Sequence, residues 1–219
     1  IEDKMNIEHD IEEAGVQMIL LVEDSVRFYS SILPNLYSYI LVQSKRFSTE
    51  ALNRHCATMR MRGRPKVVLA RNYEEALALY EKYKDNTLGV ISDAQFPVNG
   101  KKDPEAGLKL LRAIRAEDEY VPLIMESSDS ENRQRAEAEG FRFVDKNSKK
   151  MSIDLRRIME EHMGFGDFIF RDPNTHEELV RIHSLKELQD NIFKIPRDSM
   201  LYHISRNHMS RWLTARAIF

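Results

Sequence analysis

Short, largely apolar runs recur along most of this chain, and each is followed by a stretch that reads as helical, amphipathic in most cases and polar in one. The runs lie at residues 16–22, 66–70, 88–92, 121–125 and 141–144; the helical stretches lie at 26–33, 73–83, 107–115, 131–139 (the polar one) and 153–163. A strand such as 18–22, apolar at every position, has no solvent face, so it must be covered on both sides. Strands of that kind alternating with helices predict a parallel sheet with helices on both faces, a five-stranded doubly wound α/β fold. In such sheets ligands sit outside the carboxyl ends of the strands.

Those strand ends carry the reactive residues. Met18-Ile-Leu-Leu-Val22 runs straight into Glu23-Asp24, and Leu88-Gly-Val-Ile-Ser-Asp93 ends on a carboxylate with Pro97 four residues beyond. Ser127 follows the fourth run and Lys146 the fifth. Three carboxylates gathered in one pocket repel one another, so Glu23, Asp24 and Asp93 are expected to hold a divalent cation. Mg²⁺ suits such a site, because it prefers hard oxygen ligands and keeps several waters. A cation there would neutralise charge on a phosphoryl donor while Asp93 attacks phosphorus. Lys146 would pair with the phosphoryl oxygens as a point charge, and the Ser127 hydroxyl would donate to them.

This ordered set resembles the receiver domain of two-component response regulators, over about residues 16–163. The resemblance implies a flavodoxin-like fold of CheY type, with Asp93 as phosphoacceptor and Glu23, Asp24 and Asp93 around Mg²⁺. It implies that Ser127 and Lys146 read out the phosphoryl group and that Phe143 is the rotameric aromatic switch, although Phe143 also reads as plain core. It further implies a histidine kinase or small phosphodonor as partner, and a downstream catalytic domain or partner protein as output. Three departures stand out. Residues 37–64 exceed the usual link from first helix to second strand and read as a helical insertion. Residues 99–106 enlarge the loop after Asp93. Asn147 follows Lys146 where receivers usually carry proline, so a trans bond with a shifted loop is expected, or else stored strain, since a non-proline cis bond costs about 3–4 kcal/mol.

A second resemblance spans nearly the whole chain. Residues 19–31, the Tyr73-Glu-Glu-Ala-Leu block, Asp103-Pro-Glu-Ala-Gly107 and the ending Arg206-Asn-His-Met-Ser-Arg-Trp-Leu-Thr-Ala-Arg216 look like the N-terminal regulatory region of multidomain proteins of the phosphoenolpyruvate synthase/pyruvate phosphate dikinase type. It implies a sensory piece with ATP and pyruvate chemistry elsewhere. The start at Ile1 and the ending at Phe219 are read the same way, as a segment of a longer protein.

The remainder of the chain divides by composition. Residues 1–15 are acidic and polar and read as a tail or the end of a preceding unit. Pro34 is expected to kink the first helix or start another, and Ile40, Leu41, Phe47, Leu52 and Met59 are candidate apolar contacts beyond it. After Gly164-Phe-Gly166, residues 168–171 and 178–182 flank the turn-rich Asp172-Pro-Asn-Thr and read as a hairpin. Ser184 caps a helix over 185–195, and a last helix starts at Pro196. This is a small α+β module, residues 164–219, too small to be more than marginal alone.

Of 219 residues, one is cysteine, which excludes an internal disulfide and fits a reducing, cytoplasmic compartment. A net charge of −2 gives no overall drive toward nucleic acid or an anionic membrane, and no apolar run reaches the roughly 18–20 residues of a membrane span. The basic series Arg54, Arg60, Arg62, Arg64 and Lys66 reads as a solvated face. Cys56 lacks the neighbours of a nucleophile. His203 and His208 are five apart, off register for one helix face, so they read with Asn207 and Trp212 as a hydrogen-bonded core. Two rival functions remain: a degenerate pseudo-receiver serving only as a protein scaffold, and a phosphohydrolase, which Gln95 disfavours by standing where a second carboxylate would serve as general acid.

Overall fold

The computed structural model describes residues 2–51 and 53–218. In chain order the elements are α1 (Glu2–Ala14), β1 (Met18–Val22), α2 (Val26–Ser48), α3 (Arg54–Arg62), β2 (Lys66–Ala70), α4 (Tyr73–Tyr83), β3 (Thr87–Asp93), β4 (Phe96–Val98), β5 (Lys101–Asp103) and α5 (Ala106–Glu117). There follow β6 (Leu123–Ser127), α6 (Glu131–Ala138), β7 (Arg142–Asp145), α7 (Met151–His162), β8 (Phe168–Arg171), β9 (Glu178–Ile182), α8 (Leu185–Asn191), α9 (Arg197–Ile204) and α10 (His208–Thr214).

Among the described residues the main sheet has five parallel strands in the order β2-β1-β3-β6-β7. Numbered within the sheet alone this is the 2-1-3-4-5 order of flavodoxin-like folds. Successive side chains of β1 point to opposite faces. Met18, Leu20 and Val22 join the apolar cluster beneath α4 and α5, while Ile19 and Leu21 join the cluster beneath α2 and α7. Two packed layers on one sheet explain why β1 is apolar and buried at every position.

Four expectations need correction. Residues 2–14 are not a loose tail: they form α1, whose Ile7 is buried in the core. The Asp3 side chain accepts a hydrogen bond from the Val67 backbone N–H at 3.2 Å. That N–H faces the open edge of β2, so α1 closes an edge that would otherwise be free to pair. The extra length after the first helix is mainly α2 itself, which runs through Pro34 to Ser48, with α3 after it. Pro34 is tolerated because it and Ser30, whose carbonyl loses its partner, are both exposed to water. Of the candidate contacts there, Ile40 and Phe47 are buried, Leu41 and Met59 face solvent, and Leu52 lies outside the described residues.

The loop after Asp93 contains a small hairpin, β4–β5, turned by Asn99 and Gly100 with φ of 50° and 75°. Two successive positive φ values suit the two-residue turn that Asn-Gly favours. The last helix is likewise two, α9 and α10, broken at Asn207, whose φ is 57°.

The C-terminal hairpin β8–β9 and helices α8–α10 form a small α+β module with its own apolar cluster of Phe168, Phe170, Ile182, Ile195 and Trp212. Arg216 joins it to the α/β layer. Its guanidinium stacks on Trp212 and Phe47, 3.7 and 4.2 Å from the ring centroids. The same group donates to the carbonyls of Gly164, Gly166 and Trp212 at 2.6, 2.9 and 3.0 Å. No helix among the described residues is long and apolar enough to cross a membrane.

Candidate functional site

Parallel strands β1 and β3 are neighbours in register, Val22 beside Ser92, so the residues that follow them emerge side by side. Carboxylate oxygens of Glu23, Asp24 and Asp93 all lie within 4.8 Å of one another. Glu23 is fully buried, and its Oε1 accepts the backbone N–H of Ser25 at 2.9 Å. Burial pushes the Glu23 carboxyl above its ordinary range, against the opposing pull of Lys146. Asp24 and Asp93 are half-buried at the pocket mouth. This is a donor set of hard oxygens at a separation one small divalent cation can bridge, so the residues present fit Mg²⁺.

Lys146 follows β7. Its Nζ donates to Asp93 Oδ1 at 2.7 Å and also bonds Glu23, while the Phe28 ring lies 4.4 Å away. Asn147 does not displace it. All peptide bonds between described residues are trans. The loop is pinned by the Lys146 N–H on the Ser127 carbonyl at 3.0 Å and by Asn147 Nδ2 on the Ser128 carbonyl at 3.0 Å. The asparagine amide therefore supplies a tie to the neighbouring loop without a cis bond.

Ser127 is buried at the end of β6. Its Oγ accepts from the Asp129 N–H at 3.1 Å and from Asn132 Nδ2 at 3.0 Å. Both bonds use the hydroxyl as acceptor, so its own proton remains available to donate. Phe143 is half-buried against the α4–α5 cluster, with the Arg133 guanidinium 4.6 Å from its ring centroid.

Gly107 shows how tightly α5 approaches. A Cβ there would lie 2.2 Å from the Asp93 carbonyl oxygen. The hairpin reaches the mouth as well: Lys102 Nζ lies 3.7 Å from Asp24 Oδ2, and the Asn99 N–H donates to Glu74 Oε1 at 2.7 Å.

Sequence reasoning missed Glu126, which is fully buried 3.9 Å from Lys146 Nζ with both carboxyl oxygens lacking a hydrogen-bond partner among the described residues. Burial pushes its carboxyl up to about 8. A lone acid directly after the otherwise apolar Leu123-Ile-Met125 run was the available signal. Phe28 was missed too, and nothing local distinguishes it from the other apolar residues of α2.

The remaining candidates are accounted for elsewhere. Arg60 donates to the Phe47 carbonyl at 2.8 Å, and Lys66 lies 3.0 Å from Asp10, so part of the basic series is structural. The histidine spacing argument assumed one helix. The break at Asn207 brings His203 Nδ1 and His208 Nδ1 to 3.0 Å.

No family model matches the chain, and no curated protein matches it. The resemblance to phosphoenolpyruvate synthase-type regulatory regions therefore gains no support. Among solved structures the chain is similar to the chemotaxis protein CheY4 of Vibrio cholerae, at 18% identity over 67% of this chain and 98% of that one, TM-score 0.44. It is also similar to a response regulator receiver domain protein from Clostridium thermocellum, at 18% identity over 67% of this chain and 96% of that one, TM-score 0.43. The strand order of the sheet is what assigns the flavodoxin-like fold.

Proposed function

We propose that residues 16–163 are a receiver-type regulatory domain in which Asp93 accepts a phosphoryl group, with the 164–219 module docked on it. The observation that carries this reading is the convergence of the Glu23, Asp24 and Asp93 oxygens within 4.8 Å, with Lys146 bonded to Asp93. In the transfer a carboxylate oxygen of Asp93 forms a bond to phosphorus as the bond from phosphorus to the donor breaks, and the donor leaves with that electron pair. Lys146 then turns from the carboxylate to the new phosphoryl oxygens, and the Ser127 proton becomes a donor to them. Glu23, Asp24 and Asp93 would hold Mg²⁺, which supplies charge neutralisation at those oxygens when bound. The donor would be a histidine kinase or a small acyl phosphate, and the output a partner protein or a further catalytic domain. Phe143, under Arg133, would change its packing on phosphorylation.

Incubation with acetyl phosphate, followed by intact-mass measurement, should show one phosphoryl adduct that requires Mg²⁺, is cleaved by hydroxylamine and is absent in Asp93→Asn. An adduct that persists in Asp93→Asn, or none with Mg²⁺ present, sinks the proposal. One observation favours a second reading, a pseudo-receiver that only docks a partner: Lys146 already ties Glu23 to Asp93 and offsets part of the acidic charge. That reading predicts partner binding indifferent to Mg²⁺ and to Asp93→Ala.

A further inference from the structure

The acidic pocket occupies the carboxyl ends of the strands. A second cavity, of about 1100 Å³, opens at the opposite ends of the sheet, where the C-terminal module meets it. Its walls include Pro122 and Leu123 at the start of β6, Arg142 at the start of β7, His162 at the end of α7, and parts of β8, α9 and α10.

The charge here is reversed. Arg142, Arg171 and Arg211 line the cavity together with His162 and His208. Among the described residues no carboxylate lies within 4.0 Å of any of these three arginines. The hydrogen bonds two of them make go to neutral carbonyls: Arg171 Nη1 to His176 at 3.1 Å and Arg211 Nη2 to Tyr120 at 3.0 Å. Of the acids in the lining, Asp167 is already engaged by Arg181 at 3.6 Å and His183 at 2.9 Å.

The histidines are arranged as donors. His203 Nε2 accepts the Arg171 backbone N–H at 3.0 Å, so its proton sits on Nδ1 and is donated to His208 Nδ1 at 3.0 Å. That leaves His208 Nε2–H as a donor with no partner among the described residues. Burial, with Arg142, His208 and Arg211 close by, pushes His162 down to about 4, and burial with Arg211 and Arg206 does the same to His208. Four carboxylates, Glu119, Glu160, Glu161 and Asp167, also line the cavity, but they face six arginines, and none pairs with Arg142, Arg171 or Arg211, so the balance is positive and a bound anion would relieve it.

We infer that this cleft binds a small phosphate-bearing anion, an organic phosphate or polyphosphate, held by Arg142, Arg171 and Arg211 with His208 Nε2–H as a neutral donor. Guanidinium groups present paired N–H bonds that match phosphate oxygens. At about 1100 Å³ the cavity slightly exceeds the roughly 300–1,000 Å³ typical of ligand pockets, so it admits more than inorganic phosphate. Tyr120 and Tyr202 also line it and supply apolar surface beside the cations.

Trp212 is the chain's single tryptophan and lines the same cavity, so its emission reports on occupancy. Titration with inorganic pyrophosphate, followed by Trp212 emission and by heat of binding, should saturate, whereas chloride at matched ionic strength should not reproduce it. Arg142→Ala and Arg171→Ala should each weaken binding by about tenfold, the loss of one charge-assisted contact. Arg142 is exposed with no hydrogen-bond partner among the described residues, so its variant should melt as the parent does. Asp93→Asn should bind pyrophosphate unchanged, which keeps this site separate from the phosphoacceptor. The inference is overturned if neither readout saturates, if chloride gives the same response, or if Arg142→Ala binds as tightly as the parent.

Discussion

Around the Lys146 ammonium stand three carboxyl groups, those of Glu23, Asp93 and Glu126. Burial alone would push the lysine pKa down, but Glu126, Asp93 and Glu23 outweigh it and the value is raised, so Lys146 stays charged. Groups this close titrate as a set. Glu126 is the least well served of them, being fully buried with both oxygens lacking a partner among the described residues. An unsatisfied buried carboxyl carries its desolvation cost with no compensating bond. Glu126→Met, similar in length and apolar, should therefore stabilise the protein by about 1–3 kcal/mol in urea unfolding at pH 7. A loss of stability would show instead that Glu126 supports Lys146 more than burial costs it. Asp93 and its partners were legible from sequence, because together they form an ordered set at successive strand ends. Glu126 stands outside that set, and although the apolar run before it marks it as unusual, its place beside Lys146 follows only from the packing of β6 against β7.

At the scale of elements, α1 is the clearest case of a segment whose role its own residues hide. It is mostly polar, and its function is to cap the open edge of β2. Asp3 satisfies the Val67 N–H at 3.2 Å and lies 3.7 Å from Lys66 Nζ. Asp3→Ala removes the acceptor and leaves that N–H unpaired, which costs about 1–3 kcal/mol. The variant should also associate more readily, because a bare strand edge pairs with other edges; light scattering at rising concentration would show it. Unchanged stability together with a monomeric variant would contradict this role. The β4–β5 hairpin was hidden for another reason. Its strands have three residues each, too short for a period to register, and only Asn99-Gly100 marked the turn.

At the scale of the whole molecule, the C-terminal module and the α/β layer share one buried cation, Arg216, and a set of half-buried or buried histidines. Burial pushes His162, His203 and His208 down from 6.5 to about 4. Between those values the unfolded chain binds protons that the folded one does not, so stability falls as pH drops from 6.5 toward 4 and levels off below. Trp212 sits among these groups, so its emission in a urea series at stepped pH should show the midpoint falling over that interval. His203→Gln should shallow the slope; a midpoint flat from pH 6.5 to 4 would contradict the buried neutral pair.

The sequence by itself determined the layered α/β architecture, since short, largely apolar runs alternating with helical stretches, the central ones apolar on both faces, can be satisfied only inside a sheet covered on both sides. It also determined where the acidic residues must emerge, because strand ends are local events. Tertiary structure alone decided that Lys146 reaches Asp93 despite Asn147, that α1 seals β2, and that three arginines from β7, β8 and α10 face one cavity. Those outcomes join residues far apart in the chain, and no spacing within one element encodes them.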